Sequence, residues 1–386
     1  MKTVIFFSVL LVPILFSCSG YLQSGGQGIV STDMVGASRP ENASYLIGDN
    51  RVQLTNGHSV TQDFSDASSE IVTRVFSQTE FGDLDKKAED DAALLLMQQG
   101  GGSGSFFYVA AALNDDDLYY GTNAVFLGDR ISPLSVTIRD NQIVVLYNDR
   151  RTDEPMVTMP TVIKSRRFRI EDTQLKEVTL SVDEIDHLAQ GWVTIGHEVR
   201  SFRPCGAKAP GWLIGDSLAL SEIKTAYSHA LFVTPPYFPL FMQLTGSAEP
   251  NPESGFCGDD KTAYRANRLL EADPRGYCVN ELIDVDSPVP GASVASKIVV
   301  TGKARGVWYF EGDFPLILTD PAGQTIAQGF ATAQEPWMTE GWVPFTGHLT
   351  FQRLKTPDWG WLVLKKDNPS GRPLLDAEVS IPVLFE

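Results

Sequence analysis

The sequence predicts a mainly β protein divided among several domains. Three observations carry this reading. The chain has 386 residues, too many for one small core. Its apolar residues fall in short runs or alternate with a period of two, the repeat of a strand. Glycine, proline, asparagine and aspartate punctuate those runs at close intervals, as turns require. One stretch, residues 220–230, has helical character instead.

At the N-terminus, Lys2 precedes an apolar run over residues 4–15. About a dozen apolar residues cannot cross a bilayer, so the pattern is that of a secretory signal. Leu15-Phe16-Ser17-Cys18 resembles the bacterial lipobox, although Phe16 is bulkier than the residue usual there. The resemblance implies a lipoprotein signal peptide over residues 1–17 and lipidation of Cys18. Non-acidic Ser19 next to it implies the outer membrane, facing the periplasm. A diacylglycerol plus an amide-linked chain anchors stably where one chain does not. Residues 18–42, rich in Gly, Ser and Gln as in YLQSGGQG, read as a flexible tether.

The formal charge is −17, and no basic stripe is visible, which excludes a nucleic-acid partner. Lys164, Arg166, Arg167 and Arg169, interleaved with Phe168 and Ile170, read as a solvated strand face. No second apolar run approaches the ~20 residues of a membrane helix. Cys205, Cys257 and Cys278 remain after Cys18. An oxidising compartment favours a disulfide, the odd count leaves one thiol over, and the residues alone leave the pairing open. Their spacing is not that of a zinc site.

The first folded segment, residues 43–178, shows strand-like runs at 51–54, 92–97, 106–113, 143–147 and 167–170. GGGSGS at 100–105 reads as a hairpin connection, because no P-loop lysine follows and the glycine of a nucleophile elbow is missing. The acidic stretch 83–91 resembles the calcium loops of integrin-type repeats, Asp-x-Asp-x-Asp-Gly-x-x-Asp. Asp83, Asp85 and Asp91 stand at its first, third and ninth positions. Lys87 replaces the fifth-position ligand and Ala88 the turn glycine, so an ammonium takes the place of the ion. Calcium is the one cofactor the sequence raises. Residues 45–162 also resemble a module of bacterial envelope lipoproteins without assigned activity, through GDLD, GGSG, NAVFLGDR and the 150–160 stretch. Asp129-Arg130 and Asp149-Arg150 are each adjacent, so on a strand their side chains point to opposite faces, and they read as separate ion-pair participants rather than a catalytic set.

The second segment, residues 179–284, runs GWVTIGHEVRSFRPCG, GWLIGDS, the helical stretch and YFPLFMQLTG. It resembles the small five-stranded barrel domain of NlpE-like copper-homeostasis lipoproteins, carried by His197, Glu198, Phe202, Pro204, Cys205 and Trp212. That resemblance implies an OB-like barrel. It also implies a Cys205–Cys278 disulfide in preference to Cys257–Cys278. His197 and Glu198 are adjacent and would face opposite ways on a strand, with no second ligand at metal spacing, so His197 reads as structural.

The third segment, residues 285–386, shows runs at 296–302, 307–314, 315–319, 325–331, 342–352, 361–365 and 377–385, separated by turns such as Asp320-Pro321-Ala322-Gly323. Seven such runs fit a β-sandwich. SPVPGASVASKIVVTGKARGVWYFEGDFPLIL, EPWMTEGWVPFTGHLTF and GWLVLKKDNPSG resemble the immunoglobulin-like domain of bacterial spore-germination proteins. That resemblance implies a surface for partners rather than a reaction. Most of the segment's aromatics read as core. Trp359 and Trp361, two apart, share one strand face and form a binding surface if that face is exposed.

Together these features predict a lipid-anchored, non-enzymatic binding or scaffolding protein of the cell envelope, partnered by the membrane through its anchor and by an envelope protein or glycan. The NlpE-like stretch and spare cysteine support a second reading, an envelope stress or metal/redox sensor. A cell-wall hydrolase is the third, and it requires carboxylates that converge in a pocket.

Overall fold

The computed structural model describes residues 36–62, 70–87, 89–152, 154–231, 235–251, 262–352, 357–372 and 375–386. The expected signal peptide, Cys18 and Cys257 lie outside them. Among the described residues strand accounts for 57 % and helix for 8 %, so the protein is mainly β, and these strands form three sheets.

The first sheet is built around the antiparallel pair Asp91–Gln99 and Phe106–Asp115, joined through the GGGSGS hairpin. Every residue from 91 to 97 is buried. Ala92, Leu94 and Leu96 enter one core with Tyr45, Val52 and Leu54, whereas Ala93, Leu95 and Met97 enter another with Val145 and Phe168. A run without polar alternation is what a strand covered on both faces requires. The described residues include the C-terminal end of the expected tether. Ala37 bridges Tyr119, and the buried Pro40 accepts a 2.7 Å hydrogen bond from the Tyr45 hydroxyl. Residues 36–42 are therefore packed against the first sheet, and the 18–42 tether reading is corrected at its C-terminal end.

The second sheet overturns the expected boundary at residue 178. Ser132–Arg139, Gln142–Asp149 and Val162–Glu171 fall within the expected first module, yet they continue into the strands of the second. Val162–Glu171 pairs with Thr262–Asp273 through Ile163↔Ala272 and Lys164↔Glu271. The physical reason lies in Gln142–Asp149, which is buried on both faces. Ile143, Val145 and Tyr147 pack under the first sheet, while Val144 and Leu146 pack into the second core. One strand thus serves two cores.

Within that sheet, Leu188–Ile195, Arg200–Pro204, Gly211–Gly215, Thr262–Asp273 and Leu240–Pro250 pair in a closed circuit, with Gly211–Gly215 parallel to Thr262–Asp273. Helix Ser217–Ala230 connects the third and fourth of these strands in chain order. This is the OB-type barrel expected of the second segment. Asp216 caps the helix by accepting from the Ala219 N–H at 2.7 Å, and Leu218, Ile223, Ala226 and Tyr227 bury its inner face.

The third sheet begins at Ile283–Ser287 and folds over one core containing Trp308, Phe314, Phe345, Leu362 and Ile381. Asp313–Thr319, Thr325–Ala333 and Trp342–Thr350 form a meander, and Lys297–Arg305 lies beside the last of them, a Greek-key arrangement. Six of the seven expected runs lie in strands. Residues 307–314 do not form one: Gly306–Trp308 is a 3-10 turn, followed by Glu311 and Gly312 at φ 55° and 87°. Four consecutive apolar residues mimic a strand there, but only Trp308 and Tyr309 enter the core.

Candidate functional site

Trp359 and Trp361 do not form a free binding surface. They share a face, as their spacing requires, but the OB-type barrel covers it. Trp361 meets Trp192 edge-on at 5.2 Å between ring centroids, and Trp359 meets Phe238 at 5.5 Å. The Arg203 guanidinium lies 4.3 Å from the Trp361 ring. Burial lowers the Arg203 pKa, as expected for a cation taken out of water against an aromatic face. These side chains cement the immunoglobulin-like domain to the barrel. The Cys205–Cys278 disulfide, with its Cα atoms 5.5 Å apart, is a covalent tie within the same part of the chain.

The acidic loop brings Asp83, Asp85 and Asp91 together, with carboxylate oxygens within 4.8 Å of one another. Asp91 is fully buried and already engaged. One oxygen accepts from the backbone N–H groups of Leu84 (2.8 Å) and Asp85 (3.1 Å), and the other from Asn114 (2.9 Å). Burial pushes its carboxyl up, and the three N–H donors pull it back. Lys87 places its ammonium 2.8 Å from Asp85, whose hydrogen bond raises the lysine pKa. A calcium ion wants six to eight oxygens. Here one carboxylate is committed to backbone donors and another to an ammonium, so the set fits a calcium loop poorly. Its visible role is to clasp the 83–87 turn over buried Leu84. Replacing Asp91 with alanine strands three N–H groups at about 1–3 kcal/mol each. The expected loss, read by urea unfolding, is about 3 kcal/mol or more. Millimolar calcium should leave the melting temperature of the intact protein unchanged.

His197 and Glu198 lie on the turn between two barrel strands rather than on a strand. Their side chains are 90 % and 71 % exposed and 3.9 Å apart. The structural role expected for His197 is thus not found, because the hairpin carries both residues into solvent.

A charged cleft of about 440 Å³ opens where the loop after Gln142–Asp149 meets Thr262–Asp273. Arg151 binds Asp273 through Nε at 2.9 Å and Nη2 at 2.6 Å, and Lys164 binds Asp149 at 3.1 Å. Asp129 and Arg130, expected to face opposite ways, instead pair with each other at 2.9 Å, whereas the Arg150 side chain does not pair with Asp149. It donates to the carbonyls of Thr158 (2.5 Å) and Arg130 (3.0 Å) instead. Glu271 faces Lys164 across the strand pair, and burial holds its carboxyl above the ordinary range. Beside the cleft, Arg275 is hydrogen-bonded to Glu154 and holds that carboxyl below the ordinary range. A depressed acid stabilises the fold above its unfolded pKa, ordinarily about 4.3, and loses that contribution as pH falls through the folded value. Glu154→Gln should therefore lower the melting temperature near pH 7, where the contribution of the pair is fully present, and the difference from the parent should vanish as pH falls well below about 4.3.

The immunoglobulin-like domain presents a second candidate surface. On the outer face, Val299, His348 and Phe330 lie directly opposite one another across three strands, and Phe330 is 63 % exposed. Trp342 lies on the same sheet, with the guanidinium of Arg305 at 4.3 Å and the ammonium of Lys303 at 5.6 Å from its ring. Lys297 adds a third cation in the same strand as Lys303 and Arg305. Sequence reasoning missed Phe330, yet its signal was present. It is out of phase with Ala331, which is buried in the sandwich core. Glu271 and the redirected Arg150 had no such signal, because the pairing that brings them together joins strands 100 residues apart in order of magnitude.

Residues 282–372 match the family model of the immunoglobulin-like domain of bacterial spore germination. No curated protein matches the chain. The C-terminal domain is thus immunoglobulin-like in both sequence and fold.

Proposed function

We propose that this chain is a lipid-anchored, non-enzymatic binding or scaffolding protein of the cell envelope, held in the outer membrane facing the periplasm. Its partner is an envelope protein with an acidic surface, received on the outer face of the immunoglobulin-like sheet. The observation that carries this reading is the pair of cations Lys303 and Arg305 against exposed Trp342, with Lys297 at the other end of the same strand, on a chain whose net charge is −17. A cationic, partly aromatic patch on an otherwise acidic molecule steers an acidic partner to that patch and repels it elsewhere. The aromatic cement and the disulfide fix the domain that carries the patch, so little ordering entropy is lost on docking.

Two measurements test the parts separately. Cys18→Ala should move the protein from the membrane to the soluble fraction with no change in melting temperature; retention in the membrane sinks the anchor. Exchanging Lys297, Lys303 and Arg305 together for glutamate should remove an acidic envelope neighbour from affinity captures, again without a change in melting temperature. An unchanged set of neighbours sinks the proposed surface.

A further inference from the structure

The charged cleft is separate from the immunoglobulin-like face, and its charges are unequally satisfied. Arg151–Asp273 and Lys164–Asp149 are closed ion pairs. Glu271 and Arg150 are in no ion pair: among the described residues Lys164 faces Glu271 across the strand pair without reaching ion-pair distance, and the Arg150 guanidinium donates through Nε and Nη1 to the Thr158 and Arg130 carbonyls but meets no carboxylate. Both line the same cleft, over the buried side chain of Val162. Half-buried charges left open toward a cavity oppose folding unless something meets them.

The signs decide what that something is. A simple anion attracted to Arg150 meets Glu271, and a simple cation attracted to Glu271 meets Arg150, Arg151 and Lys164. A molecule with an ammonium at one end and a carboxylate at the other satisfies both open groups. The volume suits an amino acid or a short peptide. A long polypeptide does not fit the requirement, since its termini are far apart and each carries one sign only.

We infer that the cleft between Arg150 and Glu271 is a binding site for a small zwitterion, a free amino acid or short unblocked peptide, with the ammonium on Glu271 and the carboxylate on Arg150. Thr152, at the rim, supplies a hydroxyl for further hydrogen bonding. The site also explains why an acid is kept where burial disfavours its charge. An unneeded carboxylate there lowers stability, and proteins retain such groups where function uses them.

The test uses the full-length protein and four probes: L-alanine, alanyl-alanine, N-acetyl-alanyl-alanine and alanyl-alanine amide. Binding is read by amide chemical shifts. The free dipeptide or the amino acid should bind in the millimolar range, and the stronger of the two identifies the source. Blocking either end should weaken binding about tenfold, the scale of one charge-assisted hydrogen bond. Glu271→Gln should weaken binding to a similar degree while raising the melting temperature. A fold defect could not produce that combination. Arg150→Lys, which keeps the charge, should bind better than Arg150→Gln. Equal binding of blocked and free dipeptide, or no shifts with any probe at tens of millimolar, overturns the inference.

Discussion

Glu222→Gln is expected to lower the unfolding free energy by about 3–5 kcal/mol, the scale for breaking a buried ion pair from one side. Glu222 is 3 % exposed on the inner face of helix Ser217–Ala230. Both its oxygens bind Arg167, at 2.7 and 2.8 Å, and one also accepts the Leu269 N–H at 3.1 Å. Arg268 lies in the same core at 4 % exposure. Burial and the neighbouring Arg167 charge both lower its pKa. Neutralising Glu222 therefore leaves Arg167 and Arg268 in a low-dielectric interior without the buried carboxylate between them and the helix. Urea unfolding of the single variant measures the loss. The paired replacement Arg167→Met with Glu222→Leu should recover most of it, because the attraction of such a pair roughly offsets its desolvation. A loss under about 1 kcal/mol in the single variant would mean that water reaches the pair.

Removing the Cys205–Cys278 disulfide should cost about 4 kcal/mol. The cysteines are 73 residues apart, and restricting a loop of that length in the unfolded chain is worth about that much in the chain-entropy description. The bond runs from the end of barrel strand Arg200–Pro204 to the segment that enters the immunoglobulin-like domain. Cys205→Ser with Cys278→Ser, compared with the parent in urea, gives the magnitude. Peptide mapping under non-reducing conditions gives the pairing, and a Cys257–Cys278 peptide in its place contradicts the geometry.

The same residues show how far the sequence could be read. Arg167 sits in an alternating basic run that looks like a solvated face, and Arg169 and Lys164 do reach solvent. Arg167 lies opposite Val144, however, and Val144 belongs to the barrel core. Alternation reports that two faces differ, and it does not say that the outer one is wet. The boundary at residue 178 failed for a related reason. A strand buried on both sides has no polar phase to mark which domain it serves, so Gln142–Asp149 looked like the interior of one module while joining two. The immunoglobulin-like domain was more legible because its strands alternate cleanly, as in Trp342–Thr350. The barrel was legible through its order of strand and helix. Trp359 and Trp361 were placed on one face correctly, but their partners Trp192 and Phe238 come from another domain, and no local pattern announces such a contact. The Asp83, Asp85 and Asp91 loop was found by its spacing. What spacing could not show was that three backbone N–H groups already occupy Asp91.

The central claim is that the outer face of the immunoglobulin-like sheet receives an acidic envelope partner. Site-specific photocrosslinking from position 330 in the full-length protein, in intact cells, tests it most directly. The account predicts a discrete adduct with an acidic envelope protein, lost when Lys297, Lys303 and Arg305 are replaced by glutamate. The same probe giving no adduct, or an adduct that survives the charge reversal, contradicts it.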